Sequence, residues 1–274
     1  MKIHELKYSN VNTYLIEGDS GLLLFDTGWA GSFPVFCARM GELNIPVQKI
    51  DNILISHFHP DHMGIAQEIA DLGPVIVVPD VQQSFIHSAD EMFAKEGNRS
   101  FKSVIEGAVR SIDIAGSRAF LRELGIEGEI VHSPGHSDDS ISLCLDDGTF
   151  FVGDLNPFHE LELLRGTTTR SSWDKLLRMH PTTVYYGHAP ADDFTSPGRM
   201  PDRQDDRGIT DRQSDLYKLV AKIMGYVDKG YNIDRIRKKT GADKTFIEDV
   251  TRMYLTHRDV GVSGILDRIE IKGR

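Results

Sequence analysis

Three histidines and an aspartate fall within six residues in Ser56-His57-Phe58-His59-Pro60-Asp61-His62. The spacing H-x-H-x-D-H suits metal ligation. Residues two apart in an extended segment point the same way, so His57 and His59 reach one ion. Asp61 and His62 open the helix that follows and point to a neighbouring ion. Gly64 lets the backbone pass close to the site. Three more residues extend the set: His136 in Pro134-Gly135-His136, Asp154 in Gly153-Asp154 and His188 in Gly187-His188. Each follows an apolar strand and a glycine, at strand ends where a rigid scaffold mounts ligands on loops. Together these residues offer enough N and O donors for two divalent ions. Zinc is the first expectation, with iron and manganese as alternatives.

The elements that must position these residues alternate in two blocks. Strands are expected at Val11–Ile16, Gly21–Asp26, Ile50–Ile55 and Pro74–Val78, with helices near Phe33–Leu43 and His62–Leu72. A second block has strands at Glu129–His132, Ser140–Leu145, Thr149–Val152 and Thr183–Tyr186, and a helix near Ser171–Met179. Between the blocks, 80–125 reads as helical, with apolar residues at Phe85, Met92, Phe93, Phe101, Val104, Ile105 and Val109. Residues 196–212 are rich in Asp, Arg, Pro and Gly and read as a linker. Three helical patterns follow, at Asp211–Asp228, Ile233–Thr240 and Lys244–His257, and a closing strand is expected at Ile265–Lys272.

Composition bounds the rest. The chain has 274 residues, 40% apolar and 26% charged, ordinary for a globular protein. No apolar run approaches the length of a spanning helix. Met1–Lys7 lacks the apolar core of a signal peptide, and Cys37 and Cys144 sit in apolar contexts, so a cytoplasmic location is expected. The net charge of −10 is uneven: 16 of the 31 Lys+Arg but only 13 of the 41 Asp+Glu lie in 202–274. An acidic body is a poor platform for nucleic acid.

The order H-x-H-x-D-H, P-G-H, G-D, G-H, preceded by Phe25-Asp26-Thr27-Gly28, closely resembles the metallo-β-lactamase fold superfamily. The resemblance covers about residues 1–190. It implies an α+β fold, a four-layer αβ/βα sandwich with the metals along one edge of the two sheets. It implies one metal held by His57, His59 and His136, another by Asp61, His62 and His188, and Asp154 bridging them. Asp26 would then orient a ligand. The catalytic domain would span 1–195, with 80–125 as a helical, lid-like insertion. The 213–274 extension is mainly helical and resembles the winged-helix extension of some members.

The expected reaction is hydrolysis by a metal-bridged hydroxide, with Asp61 orienting the water and accepting its proton. No Gly-Cys-Gly-Arg run follows Asp154, which argues against glutathione thioesters, and neither a flavin domain nor a β-CASP insertion is expected. An ester, thioester or lactone is the first choice, so the expected partner is a small acyl compound. His159, five residues beyond Asp154, is a candidate pocket residue. The alternative is a phosphodiesterase or ribonuclease whose extension binds nucleic acid through Arg235, Arg237, Lys238 and Lys239. Such an extension also serves homodimers.

Overall fold

Short apolar strands build two sheets. The first orders β1 (Lys2–Lys7), β2 (Asn12–Glu17), β3 (Leu22–Phe25), β4 (Asn52–Leu54), β5 (Val75–Pro79) and β6 (Arg110–Ile112) side by side. Its first three strands are antiparallel and β3 to β6 are parallel. The second sheet runs β11 (Asp192–Asp193), β10 (Thr183–Tyr185), β9 (Thr149–Phe151), β8 (Ile141–Leu145), β7 (Gly128–His132). Here β9 and β10 are the parallel pair. The computed structural model describes residues 1–8, 11–164, 166–195 and 211–256, with 262 and 265. The side chains of 159, 162, 163, 211–215, 228, 252, 253, 255 and 256 lie outside that description.

Strand alternation sorts side chains into layers. Leu15, Leu24, Ile53 and Ile76 pack with Phe36 and Met40 of α1 (Phe33–Glu42) and Ile69 of α3 (Ala66–Ala70). Their chain neighbours Ile16, Leu23, Leu54 and Val77 turn the other way, onto Ile130, Leu143 and Phe151 of the second sheet. Val131, Cys144, Phe150 and Val184 then face Trp173 and Leu176 of α6 (Thr168–Leu177). Helix, sheet, sheet and helix follow in order, which is the four-layer sandwich the motifs imply.

Trp173 anchors the outermost layer. It is fully buried, and its indole N–H donates to the Asn156 carbonyl at 2.9 Å, two residues past Asp154. Trp173→Ala leaves a large cavity and removes the indole donor to the Asn156 carbonyl. We expect urea denaturation to show a loss of about 3–5 kcal/mol.

Residues 80–125 are less helical than their pattern implies. Their α-helices are α4 (Asp90–Glu96) and α5 (Ser117–Glu123), separated by 3-10 turns and by β6, which pairs with β5. Gly97 ends α4 in a left-handed conformation. Phe93 and Val104 are buried in the helical layer against the first sheet, whereas Ile105 is exposed. The expected helix at His62–Leu72 is also broken, into α2 (Pro60–Met63) and α3, with Gly64 and Ile65 between.

The chain divides into two units, Met1–Met200 and Pro201–Arg274. In the second, α7 (Asp211–Asp228), α8 (Ile233–Thr240) and α9 (Lys244–Thr256) pack around Val220, Ile223, Ile236, Ile247 and Val250. Asn232 caps α8 by accepting from Arg235 N–H, and Gly241 closes it with φ 71°. Arg235, Arg237, Lys238 and Lys239 are exposed, and the Arg235 guanidinium lies 3.7 Å over the Tyr231 ring. Residues 196–210, most of the expected linker, lie outside the described residues. So do 266–272 of the expected closing strand. Ile265 is described, and it is helical and buried in this unit's core. No helix among the described residues is long and apolar enough to cross a membrane.

Candidate metal centre

Parallel neighbours deliver the donors to one edge of the sandwich. Asp26 follows β3 and His57 follows β4, which pair in parallel. Asp154 follows β9 and His188 follows β10, the parallel pair of the other sheet. Past β4 the chain bends at Ser56 and His57 and is extended at His59, whose ψ is 152°. Phe58 is buried in the core, while the His57 and His59 rings lie against each other outside it. Pro60 starts α2 and brings Asp61 and His62 into its first turn.

Two glycines permit the close approach. A Cβ on Gly64 would lie 2.3 Å from the Ala30 N, so the 28–30 backbone crosses α2 only because residue 64 has none. At Gly187 a Cβ would lie 2.5 Å from Asp154 Oδ1 and 2.8 Å from His62 Cε1. Gly187→Ala must push both side chains apart. We expect it to fold while losing metal in an equilibrium dialysis assay, and unchanged metal content would contradict this placement.

The seven expected donors converge. The rings of His57, His59 and His136 form a triangle with centroid separations of 4.4, 4.7 and 4.9 Å. His62 lies 4.2 Å from His57 and 5.4 Å from His188 by the same measure. Asp61 Oδ2 is 3.1 Å from His188 Nε2. Asp154 stands between the groups. Its Oδ1 is 3.1 Å from His62 Nε2, and its Oδ2 is 3.4 Å from both His136 Nε2 and His188 Nε2. Ligand atoms cluster within 4.8 Å in three sets: His57, His59 and His136; His57, His62 and Asp154; Asp61, His62 and His188.

Three atoms test whether this set fits cations. His57 Nε2, His62 Nε2 and Asp154 Oδ1 are buried and make no hydrogen bond within the protein. His62 Nε2 approaches Asp154 Oδ1 at ion-pair distance without hydrogen-bond angles. Orphaned buried polar atoms cost about 1–3 kcal/mol each. Divalent cations among them would satisfy all three, and imidazole with carboxylate is a donor set such cations take.

The electrostatics are those of crowded cations and anions. Burial, reinforced by His62, His136 and His59, holds His57 well below the usual imidazole range. Burial likewise lowers His136, against the pull of Asp154. Burial would also lower His62 and His188, but the carboxylates outweigh it. Asp154, Asp26 and Asp61 hold His62 well above its ordinary value, and Asp154 with Asp61 raises His188 to about 10. Burial would raise Asp61, but His62 and His188 bring it down to about 2. Asp154 is held well below the carboxylate range, because His62, His188 and His136 overcome its burial.

Asp26 sits behind the cluster, 1% exposed. Its Oδ1 accepts the Ser56 backbone N–H at 2.7 Å, and its Oδ2 accepts the Ser56 hydroxyl at 2.8 Å. The same Oδ2 lies 2.9 Å from His62 Nδ1. A carboxylate only accepts, so His62 carries its proton on Nδ1 and turns Nε2 toward the centre. Ser56, to which sequence reasoning assigned no role, also lies 3.0 Å from His57 Nδ1. Its one sequence signal is its place directly before His57. Tyr185 and Tyr186 pack on opposite faces of their sheet, as alternation requires. The side chain of His159 lies outside the described residues.

A family model described as the metallo-beta-lactamase superfamily matches residues 7–188, a span that holds every one of these donors. The chain belongs to the metallo-beta-lactamase superfamily. Among curated proteins, the beta-lactamase-like protein 2 homolog of Drosophila melanogaster is 28% identical over 185 residues. That match covers 65% of this chain and 58% of the relative. The atrochrysone carboxyl ACP thioesterase of Claviceps purpurea is 24% identical over 188 residues, covering 66% of this chain and 51% of the relative. The chain thus spans little more than half the length of these two relatives. The crystal structure of TTHA1623 in a di-iron-bound form shares the fold, with a TM-score of 0.52 at 23% identity. That match covers 70% of this chain and 94% of the other.

Proposed function

We propose that this superfamily member is a dinuclear metal-dependent hydrolase of an ester, thioester or lactone. The observation that carries the reading is the meeting of two donor triads at Asp154, with buried donor atoms that no protein group satisfies. His57, His59 and His136 would hold one ion, Asp61, His62 and His188 the other, and Asp154 would bridge. Such ions, when bound, activate water for attack and polarise the carbonyl under attack. The chain's own residues do the rest. Asp26 and Ser56 fix the His62 and His57 rings from behind. Asp61, with a side chain 19% exposed, is more open than Asp154 at 12%. Ionised, it accepts a hydrogen bond from the attacking water and aims it. Zinc remains the first choice; the di-iron form of a structural neighbour keeps iron in the comparison.

A thioester is favoured among acyl groups by the name of the Claviceps purpurea relative. The alternative, a phosphodiester with nucleic acid held by the extension, is motivated by the exposed cations of α8. One panel separates them: aryl esters, acyl thioesters, lactones, a phosphodiester reporter and labelled RNA, each at low and high salt. The same panel is run on Arg235→Glu/Lys239→Glu. We expect acyl turnover that salt and charge reversal alter by no more than about threefold, since such substrates release few counterions. RNA cleavage that dominates the panel and collapses under both perturbations would overturn the acyl reading.

A further inference from the structure

Two side chains outside the seven donors hold the donor-bearing loops through backbone groups. The first is Asp139, 2% exposed. A buried carboxylate needs hydrogen-bond donors to stay folded, and the two that Asp139 finds are informative. Its Oδ2 accepts the backbone N–H of Phe58 at 2.7 Å, and Phe58 is the residue between His57 and His59. Its Oδ1 accepts the hydroxyl of Ser137 at 2.7 Å, and Ser137 follows His136. One carboxylate thus joins the segments that carry all three histidines of the first triad. Gln82, fully buried, reinforces the joint. Its amide donates to the Asp139 carbonyl at 3.0 Å and to the Ile55 and Ser56 carbonyls at 3.0 and 3.2 Å, directly ahead of His57.

The second is Asn12 on β2. Its side-chain amide donates to the carbonyls of Tyr186 and Ala189, each at 3.1 Å. Its backbone N–H donates to the Gly187 carbonyl at 2.7 Å. These three carbonyls bracket His188. Tyr14, two residues along the strand, adds its hydroxyl to the Tyr186 carbonyl at 2.7 Å. None of these acceptors belongs to the loops that Asp139 joins.

We propose that Asp139 and Asn12 are positioning residues that act separately. Asp139 sets the His57–His59–His136 triad, and Asn12 sets His188 within the Asp61–His62–His188 triad. The inference rests on the dinuclear reading. Neither side chain supplies a ligand atom, so each acts only through where its loops stand. Supports of this kind typically change metal affinity on the order of 10–100-fold when removed.

The test uses the full chain and zinc ions alone, titrated in chelator buffers, with stoichiometry from elemental analysis. Asn12→Ala should weaken one of two bound zinc ions by on the order of 10–100-fold and spare the other. Double-mutant cycles identify which one. In a His188→Ala background, Asn12→Ala should change the remaining zinc affinity by less than about twofold, while in a His136→Ala background it keeps its effect. Asp139→Ala should behave in mirror image, losing its effect in His136→Ala and keeping it in His188→Ala. Melting curves in excess chelator establish that each variant is folded. Should Asp139→Ala not fold, Asp139→Asn carries the same cycle, since its amide presents a donor where Phe58 N–H or the Ser137 hydroxyl needs an acceptor. Asn12→Asp does the same for the other clamp, setting a carboxylate against two carbonyls. Equal weakening of both ions by either variant, or an Asn12 effect that survives in His188→Ala, would overturn the proposal. A wild-type chain that binds fewer than two zinc ions would instead strike at the dinuclear reading and take the proposal down with it. Two ions with unselective losses would strike at the proposal alone.

Discussion

Asp154→Asn is expected to lower metal affinity by on the order of 10²–10³-fold and hydrolysis with it. Asp154 faces His62 through one oxygen and His136 and His188 through the other. It is the only carboxylate among the expected donors that reaches both triads. The amide keeps the shape and removes the charge. One former oxygen becomes an N–H₂ that cannot ligate and that repels any cation nearby. Removing one partner from a buried charged cluster costs about 3–5 kcal/mol, and each 1.4 kcal/mol is about tenfold in affinity. Equilibrium dialysis against buffered zinc reads the loss directly. Metal content and turnover near wild type would show that the chemistry lies elsewhere.

Asp26→Asn acts through a tautomer. In the wild type, the Asp26 carboxylate fixes the His62 proton on Nδ1 and leaves Nε2 with its lone pair toward the centre. An Asn amide presented to Nδ1 donates instead, which favours the tautomer with the proton on Nε2. That ring cannot ligate. The backbone supports this choice of variant, because Asp26 has φ 62° and Asn tolerates that left-handed conformation better than Ala. We expect zinc affinity to fall on the order of 10–100-fold. Nitrogen-15 NMR of metal-free protein, at a pH alkaline enough to leave His62 a single ring proton, should show that proton moving from Nδ1 to Nε2. An unchanged tautomer together with unchanged affinity would remove Asp26 from the centre.

The side chains that gather at the candidate centre were legible because ligation constrains residue type and spacing together. His57, His59, Asp61 and His62 declare themselves in one run, and His136, Asp154 and His188 follow glycines at strand ends. Their supports were not legible. Asp139 meets Phe58 across 81 positions and Asn12 meets Tyr186 across 174, and in both cases the partner is a backbone group, an N–H that every residue but proline carries or a carbonyl that all carry. No spacing rule records such contacts. The helices α7 and α8 follow the 3.6-residue periodicity of their sequence. In 80–125, by contrast, apolar residues at near-helical spacing pack from 3-10 turns and loops, and β6 is a three-residue edge strand too short to show alternation. Ile265 reads as strand from its β-branched side chain, yet it is helical and enters the core that α7, α8 and α9 share.

Two bound ions are expected to be necessary for this chain to hydrolyse its substrate. Elemental analysis of protein purified without added metal, paired with acyl-ester and thioester turnover before and after chelation, tests that requirement most directly. About two transition-metal ions per chain are expected. Turnover should disappear on chelation and return when zinc, manganese or iron is restored. Less than one ion per chain, with no gain in turnover from any of the three metals, would contradict that requirement.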